Sequence, residues 1–583
     1  MASFELNRPF GRFPRSLDRL RPVTRDWLLF SALGVLTAAF LYRETRGTTF
    51  WFDDWNWILY RRGHSVGTFL RPYNQHLSLV PIALFKLLYS TVGIDNFAPY
   101  RAIVIAGHVG CSALLFAYAR RRVGGYLALI AAGLFLLLGP GWQVSLWPIN
   151  IAWIVAVAGG IGALLLLDRG GRPAEAAACV LMALGLAGTT VGLAIAAGLL
   201  VEVLGGRDRR RRAWIVLIPL VLYAVWAIAY ETSGFHRHNI VLTPPWLVES
   251  AAGSLGSMLG LGGDPVFQSP TTPLIYGVPL LVAAVAAAGW RLLRLGGPWL
   301  RLVSLTTMAL AFWTLTGLTR AGVGLAFGSR YLYVSAALIL LITVELMRGT
   351  RVHGGAKIVL TIVAAAVVVS NLGAFRDGAR FLRDQARLTT SDLEALDLSR
   401  PVISPGYMAT RLPGSPLVPA RAGAYFSAEK AYGTPAVSAL ALPAQPEFVR
   451  EAVDSEFASA HRVGLAAVSP GLARGLAPRT DAASGGTART SGSCTTFTPA
   501  GFSSSSAPAT LDFKLPAAGV VLKTSGGAAT VSVRRYADAF PATPQARMGD
   551  SAAALLRISP DLSRQPWHVR VSPSARVIVC GLG

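Results

Sequence analysis

The chain has 583 residues, 53% of them hydrophobic and only 14% charged, a balance that excludes an ordinary soluble domain. Its long apolar runs make it a polytopic α-helical membrane protein. The formal net charge of +24 would suit a nucleic-acid binder, but the basic residues gather in short loops between apolar runs, where membrane topology accounts for them. No nucleic-acid partner is expected.

Residues 1–25 form a basic tail, with arginines from Arg8 to Arg25. The first apolar run lies too far from the start and lacks a small-residue cleavage site, so it reads as a signal anchor. A span needs about 20 mostly apolar residues. Stretches near that length begin around Trp27, Pro99, Val123, Ile149, Ala213, Thr272, Leu302, Tyr331 and Ile358. The run Ala174 to Leu204 is longer and carries a polar break at Gly188-Thr189-Thr190, so it reads as two short helices. The total is about eleven spans in a membrane domain over residues 26–373.

Charge placement tests that count, because short cytoplasmic loops collect Lys and Arg. Basic clusters stand at Arg120-Arg121-Arg122, at Arg169 with Arg172, at Arg207 with Arg209 to Arg212, at Arg291, Arg294 and Arg301, and at Arg348, Arg351 and Lys357. They alternate with unmarked loops only if Ala174 to Leu204 crosses twice. An odd number of spans with a cytoplasmic N-terminus then sets residues 374–583 outside the plasma membrane.

That last region begins with a helix-like connector from Arg376 to Leu398. Short alternating stretches at residues 510–515, 519–523, 529–533 and 568–571 follow, separated by Gly and Pro, and they predict a mainly β extracytoplasmic domain, a β-sandwich. Cys494 and Cys580 fall in it, where disulfides persist, and are either bridged to each other or two buried thiols.

Two external loops, 44–98 and 231–272, carry most of the remaining polar residues. The first holds Phe52-Asp53-Asp54-Trp55, then His64 and Tyr73-Asn74-Gln75-His76. Its density of Trp and Tyr suits a membrane interface, so the loop is expected to lie on the bilayer. An acidic pair just beyond the first span of a many-span chain resembles the first external loop of the GT-C class of glycosyltransferases, which use polyprenyl-phosphate sugars. The Asn74-Gln75-His76 segment resembles that of an actinobacterial-type subgroup of the class. The resemblance implies a GT-C-like membrane domain, a polyprenyl-phosphate sugar donor, and an envelope glycan, lipid or protein as acceptor.

Such a transfer needs a base for the acceptor proton and a group that stabilises the departing phosphate. Asp53 is the expected base, with Asp54 bonding locally or positioning the acceptor; the alternative is that both merely favour the start of a helix over Trp55 to Tyr60. His76, Asn74 and Trp55 are candidate substrate contacts, against an interfacial histidine that caps its helix. For the phosphate, Arg320 and Arg330 are candidate cations on the outer face, and Arg330-Tyr331 resembles the late phosphate-binding arginine step of the class. The alternative is a snorkelling arginine that anchors its helix.

The loop 231–272, with Glu231, His236, His238, Pro244-Pro245 and Asp264, is long enough to be a lid. His236 and His238 lack a third ligand at telling spacing, and the loop from Gly139 to Pro148 has no carboxylate. No metal site is therefore assigned, a divalent cation is not favoured, and the mechanism expected is inverting and metal-independent. A lipid-linked glycan transporter and a non-enzymatic envelope scaffold are the alternatives. The spans are almost free of charged residues, which speaks against a transporter.

Overall fold

The computed structural model describes residues 22–230, 234–261, 271–295, 299–322, 324–409, 420–468, 475–500 and 508–582. The arginines before Pro22, Glu231 and Asp264 lie outside them. In chain order the helices are α1 (Pro22–Glu44), α2 (Asp53–Tyr60), α3 (Val66–Leu70), α4 (Leu79–Val92), α5 (Ala98–Leu136), α6 (Trp142–Leu146), α7 (Ile151–Arg169), α8 (Arg172–Gly188) and α9 (Val191–Leu204). They continue with α10 (Arg209–Arg212), α11 (Trp214–Ala229), α12 (Asn239–Met258), α13 (Thr271–Leu295), α14 (Trp299–Arg320), α15 (Ser329–Leu346), α16 (Gly355–Leu398), α17 (Ala422–Tyr432) and α18 (Glu447–Ala460). The chain divides into two units. The first gathers the described residues up to Arg46 with Gly63–Leu88 and Ala98–Phe381, and the second Gly47–Arg62, Tyr89–Phe97 and the described residues from Leu382 onward.

In the first unit, seven helices among the described residues are long and apolar enough to cross a membrane: α1, α5, α7 with the turn before it, α13, α14, α15 and α16. The expected segments from Pro99 and Val123 are the two halves of α5, joined at Gly124, whose φ of 79° and ψ of 173° glycine adopts without strain. The break at Thr189-Thr190 separates α8 from α9, as the charge pattern requires. Glu175, at the start of α8, accepts from Arg212 Nε at 3.0 Å just beyond α9. Hence α8 departs from the end to which α9 returns. A side chain on Gly192 would come within 2.7 Å of Leu186 N, so the reversal needs glycine there.

The same logic sorts the helix ends. Arg122 pairs with Asp168 at 2.8 Å and with Glu345, and Arg301 pairs with Asp168 at 2.8 Å and Glu202 at 2.9 Å. The middle of α5, the ends of α7, α9 and α15 and the start of α14 therefore meet at one end of the bundle. Each of these arginines, little exposed, has a carboxylate partner, as burial of charge demands. Arg320 ends α14 and Arg330 opens α15, so both belong to the opposite end, with the α8–α9 turn.

One expectation fails here. Much of the loop 231–272 is α12, a helix of 20 residues. Its buried Ser250, Ala251, Ala252, Gly253, Ser254 and Gly256 make a face of small residues on which a neighbour can lie close. The contact with α13 is so tight that a side chain on Gly256 would meet Pro273 O at 2.2 Å, and one on Gly277 would meet Ala252 O at 1.9 Å. A segment packed in this way is not a free lid.

The second unit holds the end of α16. That helix is continuous for 44 residues, so the last apolar run and the expected connector are one element, and the division between the units falls within it after Phe381. Beyond α18 come β1 (Leu465–Ala467), β2 (Thr480–Ser484), β3 (Gly486–Ser491), β4 (Cys494–Pro499), β5 (Thr510–Lys514), β6 (Val520–Ser525), β7 (Ala529–Arg534), β8 (Ala546–Met548), β9 (Ala553–Leu556), β10 (His568–Pro573) and β11 (Arg576–Gly581). They form two antiparallel sheets, β1-β9-β6-β11-β4-β3 and β2-β5-β10-β7-β8. Phe513, Leu522, Val533, Val569, Val571, Val577 and Val579 fill one core. The period-two alternation of β10 and β11 puts their valines inside.

Cys494 and Cys580 are direct partners across β4 and β11, with Cα atoms 4.0 Å apart, and they are bridged. The bridge spans 86 positions, and a loop of that size is worth about 4.6 kcal/mol in the chain-entropy account. We expect Cys494→Ser to lower the unfolding free energy of the protein by about 2–4 kcal/mol. Thermal unfolding with and without reductant checks this, and a reductant-insensitive midpoint would contradict it.

The acidic loop also belongs to this unit. Ile94 N–H donates to Tyr432 O at 2.8 Å, the rings of Tyr89 and Tyr432 lie 5.5 Å apart, and Arg62 bonds Ser427. Phe50 packs against Phe97 at 4.8 Å, Trp55 at 6.2 Å and Tyr89 at 6.3 Å. Phe50, Trp55 and Trp57 are thus buried in protein and are not rings laid on a bilayer, whereas Phe52 and Tyr60 of the same loop are exposed.

Candidate functional site

Two sets of candidate residues stand in the two units, and each is built locally. In the second unit, Phe52 has φ 43° and ψ −102°, a left-handed backbone that a phenylalanine rarely takes. The next residue, Asp53, is half-buried and opens α2. Asp54 is fully buried, and its Oδ2 accepts from Trp51 N–H at 2.9 Å while its own N–H donates to Trp51 O at 3.1 Å. This reciprocal pair closes the strained turn, and a carboxylate at a helix N-terminus gains from the helix dipole. Trp55 is fully buried and donates from Nε1 to Phe50 O at 3.2 Å, which makes it a wall of the turn.

In the first unit, Tyr73 and His76 exchange backbone hydrogen bonds of 3.0 and 2.8 Å around Asn74 and Gln75. The central φ values of 46° and 69° define a type I′ turn. Asn74 is exposed at its tip, and asparagine tolerates this backbone better than most residues. The turn presents His76 to the α8–α9 reversal, where its Nδ1 lies 2.9 Å from Thr190 Oγ1. The half-buried ring feels the charges of both Arg320 and Arg330. Four segments, this turn, the α8–α9 reversal, the end of α14 and the start of α15, therefore bring two guanidinium groups, an imidazole and a hydroxyl to one end of the bundle.

Arg330 lies with its guanidinium carbon 5.8 Å from the Trp147 ring centroid. Gln143 N–H donates to Ser329 Oγ at 3.1 Å, which ties the aromatic turn over residues 139–150 to the start of α15. Tyr331 is turned into a cluster with Trp153 at 5.8 Å, Trp246 at 6.2 Å and Phe312 at 6.4 Å. It packs α15 against its neighbours and stays half-buried. Sequence reasoning missed Thr190 as a site residue, although the polar break in an apolar run was the signal for it.

Burial first, and then Arg320 and Arg330, push His76 down to about 4 from an ordinary 6.5. The unfolded chain therefore takes up this proton before the folded one does. The stability tied to a neutral His76 is intact above pH 6.5 and is lost as the pH falls toward 4. We expect the thermal midpoint to fall more steeply over that window in the wild type than in His76→Gln. Equal slopes would mean that the ring titrates normally.

Among the described residues no group of three or more His, Cys, Asp or Glu side chains gathers as a metal site would. His236 and His238 sit at the entry to α12. The donor set at His76, cationic and hydroxylic, suits an anion.

No family model matches the sequence, and no curated protein matches it. Among solved structures, that of ArnT from Cupriavidus metallidurans bound to undecaprenyl phosphate is similar, with 15% sequence identity over 65% of this chain and 81% of that chain, at a TM-score of 0.39. So distant a likeness leaves the chemistry to be argued from this chain's own residues.

Proposed function

We propose that the protein is a GT-C class glycosyltransferase that moves a sugar from a polyprenyl-phosphate donor to an envelope glycan, lipid or protein at the outer face of the plasma membrane. The observation that carries this reading is the convergence of Arg320, Arg330 and an uncharged His76 at the bundle end opposite the paired basic loops. Two guanidinium groups whose charges act on one neutral histidine suit an anionic ligand. A lipid phosphate, with its headgroup at the membrane boundary, meets that demand.

In the reaction, the acceptor oxygen attacks the anomeric carbon while the carbon–oxygen bond to phosphate breaks. Asp53 takes the acceptor proton, and Arg320 and Arg330 hold the charge that builds on the departing phosphate. One displacement inverts the anomeric centre, and no metal is assigned a part. The β-sandwich is proposed to hold the acceptor. The transporter reading has less support: His108, a buried histidine within α5, has its two nitrogens 3.0 Å from Tyr333 Oη and Leu136 O, and so is occupied in structure.

The test is a binding comparison on the purified protein in detergent, between a polyprenyl phosphate and the matching polyprenol. The phosphate is expected to bind at least ten times more tightly, as one charged contact of about 1.4 kcal/mol requires. Equal binding of the two lipids would overturn the phosphate site.

A further inference from the structure

We infer that Thr190 is a positioning residue that fixes the tautomer of His76, so that the ring offers its Nε2–H to the lipid phosphate. The inference rests on the phosphate-binding reading of this site and adds to it a residue with a defined task. A neutral imidazole carries one N–H, and the partner of one nitrogen decides what the other presents. The partner of Nδ1 is the Thr190 hydroxyl at 2.9 Å. When that hydroxyl donates, the proton resides on Nε2, and the ring becomes a third donor beside two guanidinium groups. With the proton on Nδ1 instead, Nε2 would turn a lone pair toward an anion.

The local build points the same way. Thr190 stands in a helix reversal that glycine makes tight, and His76 stands in a turn held by two reciprocal backbone bonds, so neither partner is on a loose segment. An apolar residue would continue the hydrophobic run at position 190 and leave Nδ1 unsatisfied. Thr189 next to it is 2% exposed, and its hydroxyl has no hydrogen-bond partner, which gives the reversal a second donor of unassigned use.

The experiment uses full-length protein in detergent, with Thr190→Val, Thr190→Ser and His76→Gln. We expect Thr190→Val to weaken polyprenyl phosphate binding about tenfold, the worth of one hydrogen bond to a charged ligand, while polyprenol binding stays unchanged and Thr190→Ser restores the phosphate. Nitrogen-15 NMR of histidine-labelled wild type, with the His76 signal assigned by its loss in His76→Gln, should show Nε2 protonated. Unchanged phosphate binding in Thr190→Val, or a serine variant as weak as the valine one, would overturn the role. An Nδ1–H tautomer in the wild type would overturn it even if the valine variant failed to fold. Failure of the wild type to prefer phosphate over alcohol would instead remove the phosphate site itself, and this inference with it.

Discussion

Asp53→Asn is expected to lower the turnover of sugar transfer by about 10²–10⁴, the usual worth of a positioned general base. Asparagine keeps the shape of the side chain and loses only the capacity to accept a proton, so donor binding should remain near wild type. Asp54→Asn is a different case. Its Oδ2 is engaged by Trp51 N–H at 2.9 Å, and an amide oxygen can still accept that bond. A milder loss, about tenfold or less, is expected there, with part of it in KM as the turn loosens. The two variants, assayed side by side, separate proton transfer from loop closure. Full activity in both would remove the acidic pair from the chemistry.

The second large effect belongs to Arg330. Removal of a group that stabilises charge on a leaving phosphate costs about 10²–10³ in rate, and Arg330→Ala should show this in turnover together with weaker binding of polyprenyl phosphate. Arg330→Lys should restore only part of the loss, because an ammonium is a point charge and cannot grip two phosphate oxygens in parallel. Arg320→Ala and the double variant follow, and on the proposed reading, in which both guanidinium groups serve one anion, their effects should fall short of additive. Wild-type turnover in Arg330→Ala would mean that the residue merely anchors α15 at the membrane boundary.

Much of this architecture is legible in the sequence because two of its signals are local. Runs of about 20 apolar residues mark the long apolar helices, and the polar break in Ala174 to Leu204 marks a reversal into two helices, whose outer ends the Glu175–Arg212 pair brings together. Period-two alternation marks β5, β6, β7 and β10. What escaped depends on contacts between distant parts of the chain. Nothing in residues 47–62 announces that Phe50 packs with Phe97 and Tyr89 in the unit of the β-sandwich, or that Trp55 and Trp57 are buried, and aromatic density alone fits a membrane interface equally well. The helix α12 is masked by Ser, Gly and two prolines, residues that look like a loop until a neighbour lies against them. Tyr331 follows an arginine at a span start, yet Trp153 and Trp246 decide where its ring goes. The pairing of His76 with Thr190 joins residues 114 positions apart, and only the fold brings them together.

The reaction proposed for this membrane protein is the transfer of a sugar from a polyprenyl phosphate. Incubation of the purified protein with a panel of radiolabelled polyprenyl-phosphate sugars tests it most directly. Transfer to an added envelope acceptor, or slow release of sugar by water, is expected with at least one donor, and loss of either in Asp53→Asn and Arg330→Ala. No turnover of any donor by wild-type protein that still binds the lipid phosphate would contradict it.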